Sequence, residues 1–239
     1  MDYFNERVNR HLRYAVELPS WLPRNGLLYY DDLSVPRERA LTGQRYRERD
    51  PGTSGIQNDP IEYTVIGGKR CIYKEGPYNG LTFDLPGILT DYTWGCWVYD
   101  VLGTCTNQQI FNLWNEDRSE KCYVSFKATD GTDRIMTGHW SYTQNRSLSW
   151  AGNDNLHVVG EWRFLYGWHG SGWFGPRMPP IEDGKNLDAS MDSRITPRTA
   201  TLLQYNQCFG VAVRGAFIYN RVITAAEGMA IYNGSKDET

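Results

Sequence analysis

A β-strand followed directly by a capped helix is encoded by VAVRGAFIYNRVITAAEGMAIYNG, residues 211–234. The first part places Val211, Val213 and Phe217 at a two-residue period, which is typical of a strand. In the last part Thr224 is followed three residues later by Glu227, which matches the capping box at a helix N-terminus. We expect a strand over residues 209–219 and a short C-terminal helix over residues 224–232.

Strand signals also dominate the preceding part of the chain. Aromatic residues make up 14% of the sequence and there are 24 glycines, a composition that favours strands and turns over helices. Many short strands without intervening helices indicate an all-β sandwich or barrel. The predicted strands cover residues 26–30, 61–66, 70–73, 81–85, 92–99, 109–114, 121–126, 134–140, 161–168 and 172–175, with hairpin turns at 115–118 and 129–132.

The closing strand and helix resemble the last segment of laminin-G-like domains. Three other stretches keep that family's order: NGLLYY (25–30), TWGCWV (93–98) and EWRFL (161–165). The resemblance spans residues 25–235 and implies a concanavalin A-like jelly-roll sandwich of two antiparallel sheets. It also implies ligand binding without catalytic residues. Gly228 departs from the family, in which a bulky apolar residue is usual, so the helix should be weaker or pack more closely.

Residues 1–24 form a predicted N-terminal helical arm outside that domain, and residues 236–239 form a tail. Phe4, Val8 and Leu12 follow one another at four-residue spacing, which places them on one stripe of an amphipathic helix, with Arg7 and Arg10 off the stripe. This stripe can dock on another subunit or fasten the arm to the chain's own surface. The pattern alone does not choose between the two.

A long irregular stretch, residues 31–60, is the second candidate for contact with other subunits. A loop of this length in a compact domain is either functional or poorly ordered. Its basic residues can form a docking patch or simply a solvated face. They are Arg37, Arg39, Arg45, Arg47 and Arg49.

Charge and composition restrict the function further. The net charge is −3 and the isoelectric point is near 5.8, so no global basic field exists for binding nucleic acid. No run approaches the ~20 apolar residues of a membrane helix, and the first residues lack a secretory signal. Five cysteines without a CxxC spacing favour free thiols in a reducing cytoplasm.

Catalytic patterns are weak throughout the sequence. The nearest approach to the paired carboxylates of a glucanase is EDRSE at residues 116–120, but an arginine occupies the central acidic position and the segment fits a hairpin loop. The four histidines are scattered, and no hydrolase elbow, zinc-protease motif or phosphate loop occurs. We therefore expect a protein that is not an enzyme, with glycoside hydrolysis as a weaker alternative.

No cofactor is expected. Calcium is a weaker alternative, because residues 130–133 and 153–155 offer hard oxygen ligands at loop tips. Aspartate and asparagine also favour turns for their own backbone hydrogen bonds, so these loops do not require a metal. No metal ligands are assigned.

Tryptophans concentrate in the second half of the chain and give the clearest ligand signal. Trp168 and Trp173 flank glycine-rich positions near predicted strand ends, so we expect them to be exposed, and Trp140 lies near another strand end. Indole faces of this kind can stack on sugar rings. The alternative is that large aromatics simply fill a two-sheet core.

Two binding functions follow from these observations. By analogy with jelly rolls made without a secretory signal, the first is a structural subunit of a phage particle, made in the host cytoplasm and oligomeric. In it the arm and the Arg-rich loop contact other subunits of a capsid, tail or fibre. The second is a carbohydrate-binding module that recognises a surface glycan.

Overall fold

The computed structural model describes residues 17–47, 61–74, 80–87, 89–103, 108–129, 132–141, 146–151, 159–170, 173–179, 181–182, 185–186, 195–203 and 210–238. These residues form fifteen strands and one helix, α1 (Ala225–Ser235). The strands are β1 (Leu27–Asp31), β2 (Glu62–Ile66), β3 (Lys69–Lys74), β4 (Leu81–Asp84), β5 (Tyr92–Asp100), β6 (Gln108–Trp114), β7 (Glu120–Thr129), β8 (Thr132–Ser141), β9 (Arg146–Ala151), β10 (Trp162–Gly170), β11 (Trp173–Met178), β12 (Ile181–Glu182), β13 (Lys185–Asn186), β14 (Thr199–Leu202) and β15 (Val211–Tyr219).

Two antiparallel sheets form the sandwich. The nine-stranded sheet runs β12-β11-β10-β5-β15-β3-β2, with β1 paired to β15 and β13 paired to β11. The six-stranded sheet runs β4-β14-β6-β7-β8-β9. This is the all-β, two-sheet architecture expected from the sequence.

Strand β15 changes its neighbours half-way along its length. Its first half pairs with β3 and its second half with β1, while β5 lies along its other edge. The register with β5 shifts between Arg214 and Phe217, and Gly215 adopts a φ of +56° there. This β-bulge reverses the alternation, so that Val213 faces the inter-sheet core and Phe217 faces the outer cluster. The sequence prediction of one unbroken alternation through Phe217 is therefore wrong.

The space between the sheets holds the main hydrophobic core. Trp94, Cys96 and Val98 of β5 point into it as their alternation predicted, and they meet Phe111 and Cys122 from the other sheet. The Trp94 indole donates a hydrogen bond of 3.2 Å to the Phe111 carbonyl, which ties the two sheets together. Cys96 and Cys122 fill space in this core as small hydrophobes.

A second cluster covers the outer face of the nine-stranded sheet. Helix α1 contributes Ile231, the segment before β1 contributes Leu22, and Trp97, Phe164 and Tyr166 of the sheet lie beneath them. Burying aromatic rings on both faces of one sheet requires a cover on each side. The helix and the segment before β1 provide this third layer.

The capping box at the start of α1 is present as predicted. Thr224 Oγ1 accepts from the Glu227 backbone N–H, and the Thr224 backbone N–H donates to the Glu227 carboxylate at 2.8 Å. Arg221 also bonds this carboxylate, and mainly for that reason the pKa of Glu227 falls to about 2. Gly228 is buried, and a Cβ there would lie 2.9 Å from Cζ of Tyr166. Of the two outcomes expected for Gly228, the structure shows close packing.

The predicted strands are all present, and their ends lie within three residues of the predicted ones. Strands β9, β12, β13 and β14 were missed. Strand β14, TATL, has only four residues, and short segments give a weak periodic signal. Among the described residues, no helix has the length and the apolar character needed to cross a bilayer.

Gly228→Ala should destabilise the protein although alanine is the better helix former. The propensity gain is about 1 kcal/mol, whereas the methyl group would overlap the Tyr166 hydroxyl and force the helix away from the sheet. We expect a net loss of about 1–2 kcal/mol in the free energy of unfolding, measured by urea titration. Tyr166→Phe in the same chain should recover part of the loss, and an equal loss in both backgrounds would contradict this contact.

Candidate functional site

The outer face of the six-stranded sheet carries a row of aromatic and basic residues across three neighbouring strands. Trp114 of β6 pairs with Lys121 of β7, which pairs with Trp140 of β8. The adjacent residues Leu113 and Cys122 belong to the core, so strand alternation places the row on the opposite, outer face. We call Trp114, Lys121 and Trp140 the tryptophan row.

Lys121 lies at the centre of the tryptophan row. Its ammonium lies 4.6 Å from the centroid of the Trp114 ring, a cation–π distance. The side chain is 1% exposed, and burial lowers its pKa to about 8. The Trp114 indole donates to Thr201 Oγ1 at 3.1 Å, which fixes the ring. Trp114 and Trp140 are partly exposed, so solvent reaches the row at its two indoles.

A second row of residues lies beside the first. Asn112 pairs with Tyr123, which pairs with Gly138. A Cβ on Gly138 would overlap Cζ of Tyr123 and lie 2.8 Å from its Cε1, so glycine allows the tyrosine to lie against the sheet. Asn112 Oδ1 and Thr82 Oγ1 of β4 are buried without a hydrogen-bond partner among the described residues. Since buried polar atoms nearly always have a partner, these two acceptors have unused hydrogen-bonding capacity.

The chemistry of the two rows suits a polyhydroxylated ligand. Indole faces can stack on the apolar face of a sugar ring, while amide and hydroxyl oxygens accept from sugar hydroxyls. The residues named in the two rows include no acidic side chain, and the carboxylate of Asp84 lies at the end of the tryptophan row.

The prediction that Trp168 is exposed is wrong. Trp168 lies on β10, on the same face as Phe164 and Tyr166, which belong to the outer cluster of the nine-stranded sheet. It is 9% exposed, and the Arg177 guanidinium lies 5.1 Å from the centroid of its ring. Arg177 is held there by a bond to the Ile223 carbonyl. The guanidinium thus occupies a ring face on which a sugar would stack.

Trp140, Trp168 and Trp173 do not form one site. Trp140 and Trp168 lie on the outer faces of different sheets, on opposite sides of the sandwich. Trp173 begins β11, and its backbone pairs with Gly170, but its side chain lies outside the described residues. Of the three predicted sugar-stacking residues, the structure places only Trp140 in the tryptophan row, and its role in binding stays a prediction.

The structure describes residues 31–47 of the Arg-rich loop, and this part folds back on the domain. Arg37 donates to the carboxylates of Asp31 and Asp32, each at 2.7 Å, so this guanidinium serves the loop's own fold. Arg39 and Arg45 are exposed and face each other in an isolated β-bridge. Their role in subunit contact stays a prediction.

Arg47 connects the loop to the edge of the candidate site. Its backbone pairs with Thr82 of β4, and its guanidinium forms an ion pair with Asp84. Through Thr199, Asp84 is in register with Trp114, so the ion pair lies at the end of the tryptophan row. Arg49 lies outside the described residues.

A buried hydrogen-bond network anchors the loop beneath Arg37. Tyr46 Oη donates to Asp31 Oδ2 at 2.6 Å, and the hydroxyls of Tyr46 and Tyr29 lie 2.9 Å apart. Asp31 is almost completely buried. Burial raises the pKa of its carboxyl to about 6, although Tyr46, Leu33 and Arg37 favour the charged form.

Part of the predicted arm packs on the domain itself. Leu22 belongs to the outer cluster, and the Trp21 indole donates to Glu238 Oε1 at 3.0 Å. Leu22 and Trp21 therefore pack on the domain, and the boundary at residue 24 stays a prediction. The stripe of Phe4, Val8 and Leu12, with Arg7 and Arg10, lies outside the described residues.

The acidic segment at residues 116–120 forms the predicted turn between β6 and β7. Glu116 and Asp117 are exposed, and Asp117 accepts from the Ser119 backbone N–H at 2.9 Å. In the part of the chain that the structure describes, no three histidine, cysteine or acidic side chains come together to hold a metal ion. The loops named for calcium, around residues 130–133 and 153–155, lie largely outside that part.

Solved structures share this fold at low sequence identity. The chain matches domain 4 of an extracellular family 43 arabinanase from Geobacillus stearothermophilus, solved with arabinotriose, with a TM-score of 0.59 and 12% identity over 87% of this chain and 99% of that one. It matches the binding domain of botulinum neurotoxin DC, solved with SialylT, with a TM-score of 0.59 and 8% identity over 88% of this chain and 52% of that one.

A third match is the CBM2 module of the evolved Dit protein of Lactobacillus casei BL23 phage J-1. Its TM-score is 0.51 and its identity 10%, over 83% of this chain and 98% of that one. No protein-family model matches the chain, and no curated protein is similar to it in sequence. The chain has a two-sheet β-sandwich fold. At these identities the matches show the fold alone, and laminin-G-like membership stays a resemblance.

Sequence reasoning missed Trp114, Lys121 and Asn112 as site residues. Lys121 and Trp114 carried a usable signal, since the correctly predicted hairpin at residues 115–118 makes them cross-strand partners. Asn112 carried no such signal, because the sequence does not show that the amide of an asparagine inside a strand is buried. Trp140 was identified, but with partners from the other sheet.

Asp31 should make the stability of the protein depend on pH. The pKa of Asp31 in the folded protein, about 6, exceeds the ordinary value of 3.8, so the stabilising contribution of its carboxyl is fully present only below that ordinary value and is lost as the pH rises through 6. Relative to Asp31→Asn, which cannot titrate, we expect the free energy of unfolding of the wild type to fall by about 3 kcal/mol between about pH 3 and pH 7. Urea titrations of both proteins at several pH values measure it, and a constant difference would contradict the assignment.

Proposed function

We propose that this protein is a carbohydrate-binding β-sandwich that acts by recognition and not by catalysis, with its site on the outer face of the six-stranded sheet. The observation that carries the proposal is the tryptophan row, in which two partly exposed indoles flank a buried lysine. A sugar ring can stack on an indole while its hydroxyls reach the polar residues beside it.

The other outer face is a poorer candidate. Helix α1 and the segment before β1 cover it with Ile231 and Leu22, and Trp168 beneath Arg177 is nearly inaccessible. On the six-stranded sheet, by contrast, Asn112 and Thr82 keep buried acceptor atoms without a partner among the described residues. Stacking surface and hydrogen-bonding capacity thus coincide on one face. The arabinotriose-bound arabinanase domain, which has the same fold, makes short oligosaccharides a reasonable first class of ligand.

Trp140→Ala and Trp114→Ala should each weaken glycan binding about tenfold, the order of one lost stacking contact of 1–1.5 kcal/mol. A glycan array identifies a ligand for the wild-type protein, and isothermal titration calorimetry with that glycan measures the dissociation constants. Trp168→Phe is the matched control on the opposite face and should leave the affinity unchanged. A glycan whose affinity depends on Trp168 and not on Trp140 or Trp114 would place the site on the other sheet.

Glycoside hydrolysis remains the weaker alternative, because Glu116 and Glu120 are the carboxylates nearest to the tryptophan row in the sequence. They belong to the turn and the first position of β7. Turnover of a β-glucan that disappears in Glu116→Gln or Glu120→Gln would replace the binding proposal with an enzymatic one.

A second candidate function is a structural subunit of a phage particle, which would display this domain and use the arm to contact its neighbours. The match to a module of a phage Dit protein favours it. The exposed Arg39 and Arg45 and the unassigned stripe of Phe4, Val8 and Leu12 are the surfaces that such a role would use.

Truncation before residue 17 tests the arm without disturbing the domain, since Trp21 and Leu22 are left in place. We expect the full chain to be oligomeric and the truncated chain to be monomeric, as measured by light scattering, with unchanged thermal stability. Equal masses for the two chains would exclude the arm as the subunit contact.

A further inference from the structure

A cleft of about 410 Å³ opens on the outer side of the nine-stranded sheet, beyond the C-terminal end of α1. Its walls come from β1, β3, β15 and the Arg-rich loop, together with the segment before β1 and the residues after α1. They include Glu17, Tyr30, Asp32, Arg70, Arg214 and Glu238. The cleft lies on the opposite side of the sandwich from the tryptophan row, and its volume is in the range of small-ligand pockets.

The hydroxyl of Tyr30 lacks a hydrogen-bond partner at this cleft. Tyr30 is fully buried, and its ring makes an edge contact with Trp21 at 6.0 Å between centroids. Its hydroxyl has no partner among the described residues. Leaving a buried polar atom unpaired costs about 1–3 kcal/mol. A hydroxyl in this position lining a cleft therefore points to an occupant that completes the bond.

The charge of the cleft favours a cationic occupant. Asp32 is already bonded to Arg37, and two nitrogens of Arg214 donate to the carbonyls of Ser235 and Glu238, at 2.8 and 3.1 Å. These carbonyls are neutral, so the Arg214 guanidinium keeps its charge, and the carboxylates of three further lining residues outnumber the two lining arginines by one. The carboxylates are those of Glu17, Asp237 and Glu238, and the arginines are Arg70 and Arg214.

We propose that this cleft binds an organic cation, a guanidinium or ammonium group, whose N–H donors reach the Glu238 carboxylate and the Tyr30 hydroxyl oxygen. A metal ion is a poorer fit, since the described residues bring together no group of three histidine, cysteine or acidic side chains suited to one. The group can come from a free amine or from the side chain of a peptide. The inference is independent of the glycan site.

The Trp21 indole gives a direct signal of occupancy, because its N–H donates to Glu238 Oε1. We expect arginine amide or lysine amide to shift the Trp21 indole resonance in ¹H–¹⁵N spectra of the full chain, with saturation in the millimolar range. Citrulline amide has the same shape as arginine amide without its charge, and it should cause no shift. A blocked Gly-Arg-Gly peptide tests whether the cation comes from a peptide side chain. Tighter binding of this peptide than of arginine amide would identify a peptide as the source.

Two conservative variants test the residues. Glu238→Gln keeps an acceptor for Trp21 but removes the charge, and Tyr30→Phe keeps the ring but removes the hydroxyl; each should weaken binding at least fivefold. Glu116→Gln removes the same charge from the exposed turn after β6 and should bind as the wild type does. Three results would each overturn the proposal: equal shifts with citrulline amide, equal losses in Glu116→Gln and Glu238→Gln, or no shift with either cation.

Discussion

Strand β15 is buried over its whole length on both faces, and this constraint organises the molecule. One face packs against the six-stranded sheet through Val211 and Val213, and the other carries Phe217 and Tyr219 under the outer layer. A strand that is apolar on both sides needs a cover on both sides. Helix α1 and the segment before β1 supply the second cover.

The second cover is held in place by a buried charge. Arg214 of β15 donates to the carbonyl of Ser235, the last residue of α1, and to that of Glu238 beyond it, where backbone acceptors lack intrahelical partners. Its guanidinium lies 5.0 Å from the Trp97 ring centroid and 5.4 Å from that of Trp162. A buried cation needs such compensation because desolvation is costly. Arg214 also lines the neighbouring cleft, where its charge offsets part of the negative charge of Asp237 and Glu238.

Local patterns predicted most of the elements and some of the faces that they present, such as that of Trp94, Cys96 and Val98, but not all of them. The capping box of Thr224 and Glu227 was read correctly because both partners lie within one helical turn. Phe217 was assigned to the wrong face because one glycine in a left-handed conformation shifts the alternation, and many strand glycines show no such conformation. Trp168 was expected to be exposed because its covering residue, Arg177, comes from the next strand. Both errors arise from contacts beyond the reach of a periodic pattern.

The tryptophan row illustrates why a site can be hidden in a sequence whose strands are recognised. Trp114 and Lys121 are joined by a tight turn, so their pairing follows from the hairpin alone. Trp140 joins them only if the hairpin of β7 and β8 keeps its register. That register extends over ten residue pairs, from Glu120–Ser141 at one end to Thr129–Thr132 at the other. A slip of one residue there would turn Trp140 toward the core. The site therefore depends on the register of a hairpin, a property specified by the entire inner face of β7 and β8 and not by the residues that form the site.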